Sequence, residues 1–212
     1  MKPFVKILAL LLLFTTGTWT LLQAQVGLGL RGGVLWTKAE LEQGDDKFDN
    51  DYLMGYTGSL FAEIGISEAF AIQPEVVFLQ KGYKNTIEDD GIYERKLMMN
   101  YLEVPVLAKW RIGSETIKAQ LLLGPTFGYA LDGTVKANGE KTDLDLDDVT
   151  RLDIGVLFGA GFDIPLGPGS VFVDGRYGLG ITNLNNAANA DDFHWHNRTI
   201  SVGVGYIYRI GK

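Results

Sequence analysis

The sequence contains no cysteine among its 212 residues, and this absence excludes disulfide scaffolds, thiolate metal sites and cysteine nucleophiles. Long apolar runs are also lacking, apart from one short stretch near the N-terminus, which excludes a bundle of membrane-spanning helices. Basic residues are not in excess, since the formal net charge at pH 7 is −7. Such an acidic balance argues against a protein that binds nucleic acid.

Glycine and apolar residues are abundant instead. Glycine accounts for 27 residues, nearly twice its usual share of about 7%. Hydrophobic residues make up 46% of the chain, which is enough apolar surface to make intrinsic disorder unfavourable. The mean hydropathy of +0.07 lies between that of a helical membrane protein and that of a polar chain. The length fits one domain.

The first 24 residues are typical of a secretory signal peptide. Lys2 and Lys6 supply a positive start, and residues 7–14 form an apolar core that is too short to span a membrane. Ala24 places a small residue at the expected cleavage position. We therefore expect an exported chain over residues 25–212, with a net charge of 17 − 26 = −9 after both lysines are removed.

The rest of the chain alternates apolar and polar residues with a period of two, in segments of about ten residues. In the clearest segment, residues 151–164, one face is wholly apolar and the other carries charges and glycines. This pattern predicts strands with two different faces. The eight predicted strands are residues 26–36, 56–66, 72–82, 101–111, 118–131, 151–164, 171–181 and 198–210.

The predicted connections between these strands alternate in length. The short ones are residues 67–71, 112–117 and 165–170, and the long ones are 37–55, 83–100, 132–150 and 182–197. Short periplasmic turns and long outer loops are typical of outer-membrane barrels with an even number of strands. The sequence therefore predicts an all-β fold, an eight-stranded antiparallel up-and-down transmembrane β-barrel.

The two faces of the strands then have different surroundings. In a soluble barrel the apolar face would point inward, whereas in a membrane barrel it contacts lipid. Most strand glycines lie on the polar face, where they make room for long charged side chains in a narrow eight-stranded bore. Together with the export signal and the loop alternation, this favours the membrane barrel.

Charged residues of the polar face are predicted to form a salt-bridge network in the lumen, because charges inside a barrel must pair or be hydrated. An ion or proton path is the alternative, but eight strands leave no aqueous channel. The predicted network comprises Arg31, Glu63, Glu75, Glu103, Lys109, Asp153, Asp163, Asp174, Arg176 and Arg209.

Several sequence blocks occur together in order along the chain. The more specific ones are Gln73-Pro74-Glu75 and Asn100-Tyr101-Leu102-Glu103-Val104-Pro105, accompanied by glycine-rich blocks at residues 29–33, 158–162 and 173–180. Together they resemble the PorT-like family of outer-membrane β-barrels, which is common in Bacteroidota. The resemblance implies an eight-stranded barrel in the outer membrane of a Gram-negative bacterium, without catalytic residues. Some relatives are associated with a system that secretes proteins across that membrane.

The end of the chain bears on assembly. The resemblance implies that the barrel assembly machinery is a partner, and barrels of this kind usually end on an aromatic residue. This chain ends Tyr208-Arg209-Ile210-Gly211-Lys212 and so departs from that pattern, although Tyr208 is close to the end.

The acidic outer loops contain a segment that could suggest calcium. Counted from Asp143, an EF-hand loop needs glycine at its sixth position and glutamate at its twelfth, but Asp148 and Ile154 stand there. The segment is therefore interpreted as a solvated acidic loop. Together with the acidic first loop, it could at most bind divalent cations weakly.

The only two histidines, His194 and His196, alternate in one segment and would share a face of a strand. No third metal ligand is evident nearby, so no metal site is predicted. A lipid hydrolase would need a serine beside them, and Ser201 is a conceivable partner. The chain has no G-x-S-x-G motif, so no catalytic residue is assigned.

The sequence thus predicts a non-enzymatic integral outer-membrane β-barrel, without cofactor, which is structural or binds partners through its outer loops. One alternative is an accessory component of a protein secretion system, and a barrel enzyme acting on lipid is less favoured. The expected partners are outer-membrane lipid, the barrel assembly machinery, and secretion-system or other envelope proteins.

Overall fold

The structure is a computed structural model. It describes residues 26–44, 46–48, 50–88, 92–137, 139–147, 149–185 and 193–210. The predicted signal peptide, residues 1–24, lies outside this described part. Within it, no helix is long and apolar enough to cross a membrane.

In the described residues, ten antiparallel strands form a single sheet, and eight of them close into a ring. The ring follows the order β1–β3–β4–β5–β6–β8–β9–β10, and β10 pairs back onto β1. The short strands β2 and β7 extend the sheet beyond the ring. The strands are β1 (Val26–Gln43), β2 (Asp46–Phe48), β3 (Leu53–Gly65), β4 (Phe70–Glu88), β5 (Ile92–Gly113), β6 (Lys118–Ala137), β7 (Glu140–Asp143), β8 (Leu152–Leu166), β9 (Gly169–Gly180) and β10 (Phe193–Ile210).

The predicted eight-stranded antiparallel barrel is therefore confirmed. Each predicted segment lies within one ring strand or overlaps almost all of it. The ring closes because β1 pairs with β10 continuously, from Val26 opposite Ile210 to Gln43 opposite Phe193. The first residue of β1 and the last residue of β10 both lie at the end of the barrel that has the short turns, as an even number of strands requires.

Several strands run well beyond the predicted boundaries. Strand β4 continues to Glu88 and β5 begins at Ile92, so their paired hairpin covers most of the predicted loop 83–100. Strand β1 likewise continues into the predicted loop 37–55. The extensions of β4 and β5 lack a clear period of two, because above the membrane neither face contacts lipid. Pairing with the neighbouring strand, rather than alternation, holds them in the sheet.

The short turns close the opposite end of the barrel. At the turn between β3 and β4, the Ile66 amide donates to the Phe70 carbonyl, and the Ser67 hydroxyl accepts from the Phe70 amide. Gly167, in the turn between β8 and β9, has a φ of 60°, a conformation that favours glycine.

The outer surface of the ring is a continuous apolar band. Leu60 is 68% exposed and lies on β3 between inward-facing Ser59 and Phe61, which are buried. The same alternation continues on the other ring strands, where leucine, valine, isoleucine and phenylalanine side chains point outward. An exposed apolar surface of this extent is unfavourable in water, so its solvent is lipid.

Candidate functional site: the layered lumen

The lumen contains three layers of charged side chains, which the period of two along each strand directs inward. We call them the turn-side layer, the central layer and the arm-side layer, in order from the short turns towards the extended strands. In these three layers, basic and acidic side chains are equal in number.

The turn-side layer is centred on Glu63. Its carboxylate lies 2.8 Å from Lys109 Nζ and 2.7 Å from Arg111 Nη1. Arg209 lies 3.8 Å from the same carboxylate and donates at 2.9 Å to Asp163. The Glu63 carboxylate thus interacts with three cationic side chains. One of the three, Arg209, also forms an ion pair with Asp163.

The central layer crosses the bore at mid-height. Arg176 bridges Glu75 at 2.9 Å and Asp174 at 3.0 Å, and Arg31 contacts the other oxygen of Asp174 at 2.7 Å. Gln73 Nε2 donates to the free oxygen of Glu75 at 2.7 Å. All five side chains are buried, so each charge depends on its protein partners.

The arm-side layer has one cation between two carboxylates. Lys81 Nζ lies 2.6 Å from Glu103 and 3.0 Å from Asp153, and it sits 4.9 Å from the centre of the Tyr101 ring. Asn197 Nδ2 donates to Asp153 at 2.9 Å. The Tyr101 ring and the Asn197 side chain therefore also contact the ion group formed by Lys81, Glu103 and Asp153.

The structure places all ten predicted network residues in the lumen and brings each into an ion pair within one of these layers. The prediction omitted Lys81 and Arg111. Both were recognisable from the sequence, since Lys81 shares the polar face of Gln73 and Glu75, and Arg111 that of Lys109. Each lies at the end of its predicted strand, where alternation is least informative.

An apolar plug surrounds the arm-side layer and fills the lumen beyond it. Trp195 of β10 packs edge-on against Tyr83 of β4, with their ring centres 5.9 Å apart. Leu146, Val149 and Leu184 come from connecting segments and fold inward to join the strand side chains. The buried members of the plug are Leu35, Ala39, Val77, Leu79, Leu97, Met99, Tyr101, Ala130, Leu146, Val149, Leu184 and Trp195.

Asn183 holds one of these connecting segments against the end of β10. Its side-chain oxygen accepts from the Trp195 amide at 2.9 Å, and its nitrogen donates to the Phe193 carbonyl at 3.1 Å. The Leu184 amide then donates to the Trp195 carbonyl at 2.9 Å. The segment therefore satisfies the backbone of β10 as a neighbouring strand would, and it carries Leu184 into the plug.

A small cavity of about 40 Å³ lies between the arm-side and central layers. Asp153, Asn197 and Arg176 are among its lining residues. One side-chain oxygen of Asp153 and the side-chain oxygen of Asn197 are buried there without a partner in the described part of the chain. The cavity has room for a few water molecules to satisfy them, and it is too small for a solute.

The histidines and Ser201 do not come together. Ser201 faces the lumen, where its hydroxyl accepts from Arg31 at 3.3 Å. His194 and His196 lie on the outward side of the same strand, with ring centres 6.3 Å apart. The conceivable serine–histidine pairing is therefore absent from this geometry, since the residues occupy opposite faces of β10.

The acidic segment after β7 forms a local turn, in which the Asp147 amide donates to the Asp145 carboxylate at 3.0 Å. Across the described ranges, no group of three or more histidine, aspartate or glutamate side chains is arranged to hold a metal ion. Asp148, which stands where an EF-hand loop would need glycine, lies outside those ranges.

The family model of the outer membrane protein beta-barrel domain matches residues 23–186 of this sequence. The chain belongs to this family. The barrel is therefore an outer-membrane protein whose apolar band contacts lipid and whose short turns face the periplasm. No curated protein sequence matches the chain significantly.

Solved structures with the same architecture include OprG from Pseudomonas aeruginosa, with a TM-score of 0.50 at 10% identity, covering 89% of this chain and 98% of that one. Ail of Yersinia pestis, solved with the heparin analogue sucrose octasulfate, has a TM-score of 0.43 at 16% identity and coverages of 87% and 99%. Neisserial surface protein A has a TM-score of 0.43 at 13% identity, with coverages of 84% and 95%. At such low identity these likenesses concern the fold alone.

Proposed function

We propose that this barrel is a sealed, non-enzymatic outer-membrane protein that acts by presenting its extended strands to partners outside the cell. The observation that carries the proposal is the filled lumen. Three charged layers and the apolar plug occupy the bore, and the cavity among them has a volume of about 40 Å³. A solute would have to break buried ion pairs and displace packed side chains at the same time.

The extended strands provide a rigid surface for such a role. Pairing of β4 with β5 continues from Tyr83 opposite Leu97 to Glu88 opposite Ile92. We call this part of the hairpin the arm. At about 3.4 Å per residue, it extends about 20 Å along the strands beyond the arm-side layer. The plug packs against the base of the arm through Leu97, so the arm is anchored in the barrel.

Reconstitution in planar lipid bilayers tests whether the barrel is sealed. We expect no stepwise conductance, because eight strands leave a bore that side chains fill. Heat-modifiable migration on gels would verify that the reconstituted protein is folded. Discrete conductance steps from folded protein would contradict the proposal, and a larger porin in the same bilayers controls for detection.

A second hypothesis is an accessory role in protein secretion, which is supported by the resemblance to the PorT-like family. The Gln73-Pro74-Glu75 block that carries much of this resemblance contributes Gln73 and Glu75 to the central layer. These two residues thus have a structural role in the lumen, and a secretion role would reside elsewhere, in the arm or the turns. In a deletion strain, loss of secreted cargo with an intact envelope would favour the secretion hypothesis over the partner-presenting barrel.

We also propose export through cleavage of the N-terminal 24 residues. N-terminal sequencing of the protein from an outer-membrane fraction is expected to begin at Gln25, because Ala24 is the small residue at the cleavage position. Recovery of the protein with Met1 in place would contradict cleavage without affecting the barrel assignment.

A further inference from the structure

Four lysines form a row across the neighbouring strands β4, β5, β6 and β7. Lys84 of β4 is the direct register partner of Lys96 of β5, and Lys96 is the partner of Lys136 on β6. Lys136 is in turn the partner of Lys141 on β7. Because direct partners in an antiparallel sheet share a face, the four side chains lie side by side, about 5 Å apart from strand to strand.

This lysine row is unfavourable by itself, since like charges directly opposite each other destabilise a sheet. It also occurs in a chain that has 26 acidic and 19 basic residues. Repeated like-charge pairing in an acidic protein indicates that the row has an anionic partner outside the described chain. The acidic groups on the same face therefore have to be considered.

Three carboxylates lie near the lysine row. Glu94 contacts Lys96 at 2.6 Å and Lys84 at 3.7 Å, and its hydrogen bond with Lys96 lowers the Glu94 pKa from its usual value. Asp51 pairs through its backbone with Lys84, and its carboxylate accepts from Thr86. Asp143 follows Lys141 by two residues on β7. No carboxylate of the described ranges forms an ion pair with Lys136 or Lys141, so half of the row is uncompensated.

The lysine row lies on the outward face of the barrel, above the lipid-facing band. On β5 the outward positions run from Leu102, which is 42% exposed, through Asn100 to Lys96. Asn100 accepts from Gln80 at 3.3 Å and donates to Asp132 at 2.8 Å, and this polar ladder marks the end of the apolar band. Lys96 is four residues further, about 10 Å above the ladder for a tilted strand.

We propose that the lysine row binds phosphate groups of lipid headgroups in the outer leaflet that surrounds the barrel. The row lies about 10 Å above the end of the apolar band, so its long side chains can extend down towards the headgroup phosphates, and its face is continuous with the lipid-contacting surface. Lysine is a strong point-charge donor to phosphate, and basic residues beside a membrane are attracted to anionic lipid. A row about 14 Å long can contact two or more phosphates at once. This proposal is independent of whether the arm also binds a protein partner.

The test compares binding of lipid A that carries two phosphates with binding of dephosphorylated lipid A. Purified full-length barrel in neutral detergent is titrated with each lipid, and bound lipid is counted by native mass spectrometry. We expect about tenfold tighter binding of the phosphorylated form, falling as salt is added. Replacing all four lysines with glutamine (Lys84→Gln, Lys96→Gln, Lys136→Gln and Lys141→Gln) is expected to abolish this preference.

A control variant removes the same number of positive charges elsewhere, through Lys38→Gln, Arg95→Gln, Lys118→Gln and Arg151→Gln. Arg95 is an especially close control, since it precedes Lys96 on β5 and points to the other face. The control is expected to keep the preference for phosphorylated lipid. Heat-modifiable migration verifies the folding of both variants, and if the fourfold variant does not fold, Lys136→Gln and Lys141→Gln together are expected to reduce the preference severalfold.

Three results would overturn the proposal. The first is equal binding of the two lipids by the wild-type barrel, and the second is an unchanged preference in the variant of the lysine row. The third is a row-dependent interaction with a soluble polyanion, such as dextran sulfate, in the absence of phosphorylated-lipid binding. Inorganic phosphate added as a competitor distinguishes a general phosphate site from one that needs the lipid surface.

Discussion

Replacing Arg176 with methionine is expected to lower the free energy of unfolding of the barrel by about 3–5 kcal/mol, because one partner of a buried ion group is removed. Arg176 bridges Glu75 and Asp174 in the central layer. Asp174 would retain Arg31, but Glu75 would keep only the amide of Gln73. The measurement is urea-induced unfolding in lipid vesicles, followed by the gel shift between folded and unfolded protein.

The matched control adds Glu75→Gln to Arg176→Met. Because the second change removes the uncompensated carboxylate, the double variant is expected to recover much of the lost free energy. Arg95→Met, on the exposed arm, is expected to change it by no more than about 0.5 kcal/mol. If Arg176→Met unfolds at the wild-type urea concentration, the central layer does not depend on this pairing.

Replacing Gly82 with valine is the second large change, expected to cost about 3 kcal/mol or more. Gly82 has a φ of 153°, which side-chain-bearing residues rarely adopt, and a Cβ atom there would lie 1.9 Å from the carbonyl oxygen of Leu97. Backbone strain and overpacking each cost about 1–3 kcal/mol, and the two atoms that would lie closest to the added Cβ belong to the Leu97 backbone, which cannot move aside as a side chain could. Urea unfolding in vesicles gives the free-energy change, and protease sensitivity of the arm shows where the damage lies.

Gly32→Ala is the control for this prediction. Gly32 points outward on β1, and a Cβ atom there would contact nothing within 4 Å. We expect the substitution to leave the stability unchanged or to raise it by about 0.4–1 kcal/mol, since alanine restricts the unfolded chain. Equal effects of the two substitutions would mean that Gly82 is not conformationally required.

Much of the barrel could be predicted from the sequence, because alternation is a local property. A period of two assigns each residue to a face without reference to its partners. Alternation therefore assigns Glu75, Lys109 and Arg176 to the polar face, and all three side chains are buried in the structure, although alternation does not predict which of them pair. Lys81 and Arg111 were left out of the predicted network because each lies at the margin of its predicted strand.

The outer part of the molecule was less predictable, because its contacts join residues far apart in sequence. Leu184 lies in a segment with no pattern that indicates burial, and Leu146 lies in the acidic segment interpreted as a solvated loop, yet both fold into the plug. The continuation of β4 and β5 depends on their pairing with each other, which local alternation does not report.

Residues that are neighbours along the chain predict the eight strands of the ring, the two faces of each strand and the alternation of short and long connections. The pairing of the charges and the alignment of Lys84, Lys96, Lys136 and Lys141 in one row follow from the tertiary structure. Both depend on the register between neighbouring strands. Which residues face each other across strands is set by closure of the ring and by packing of the lumen, and both involve the whole chain.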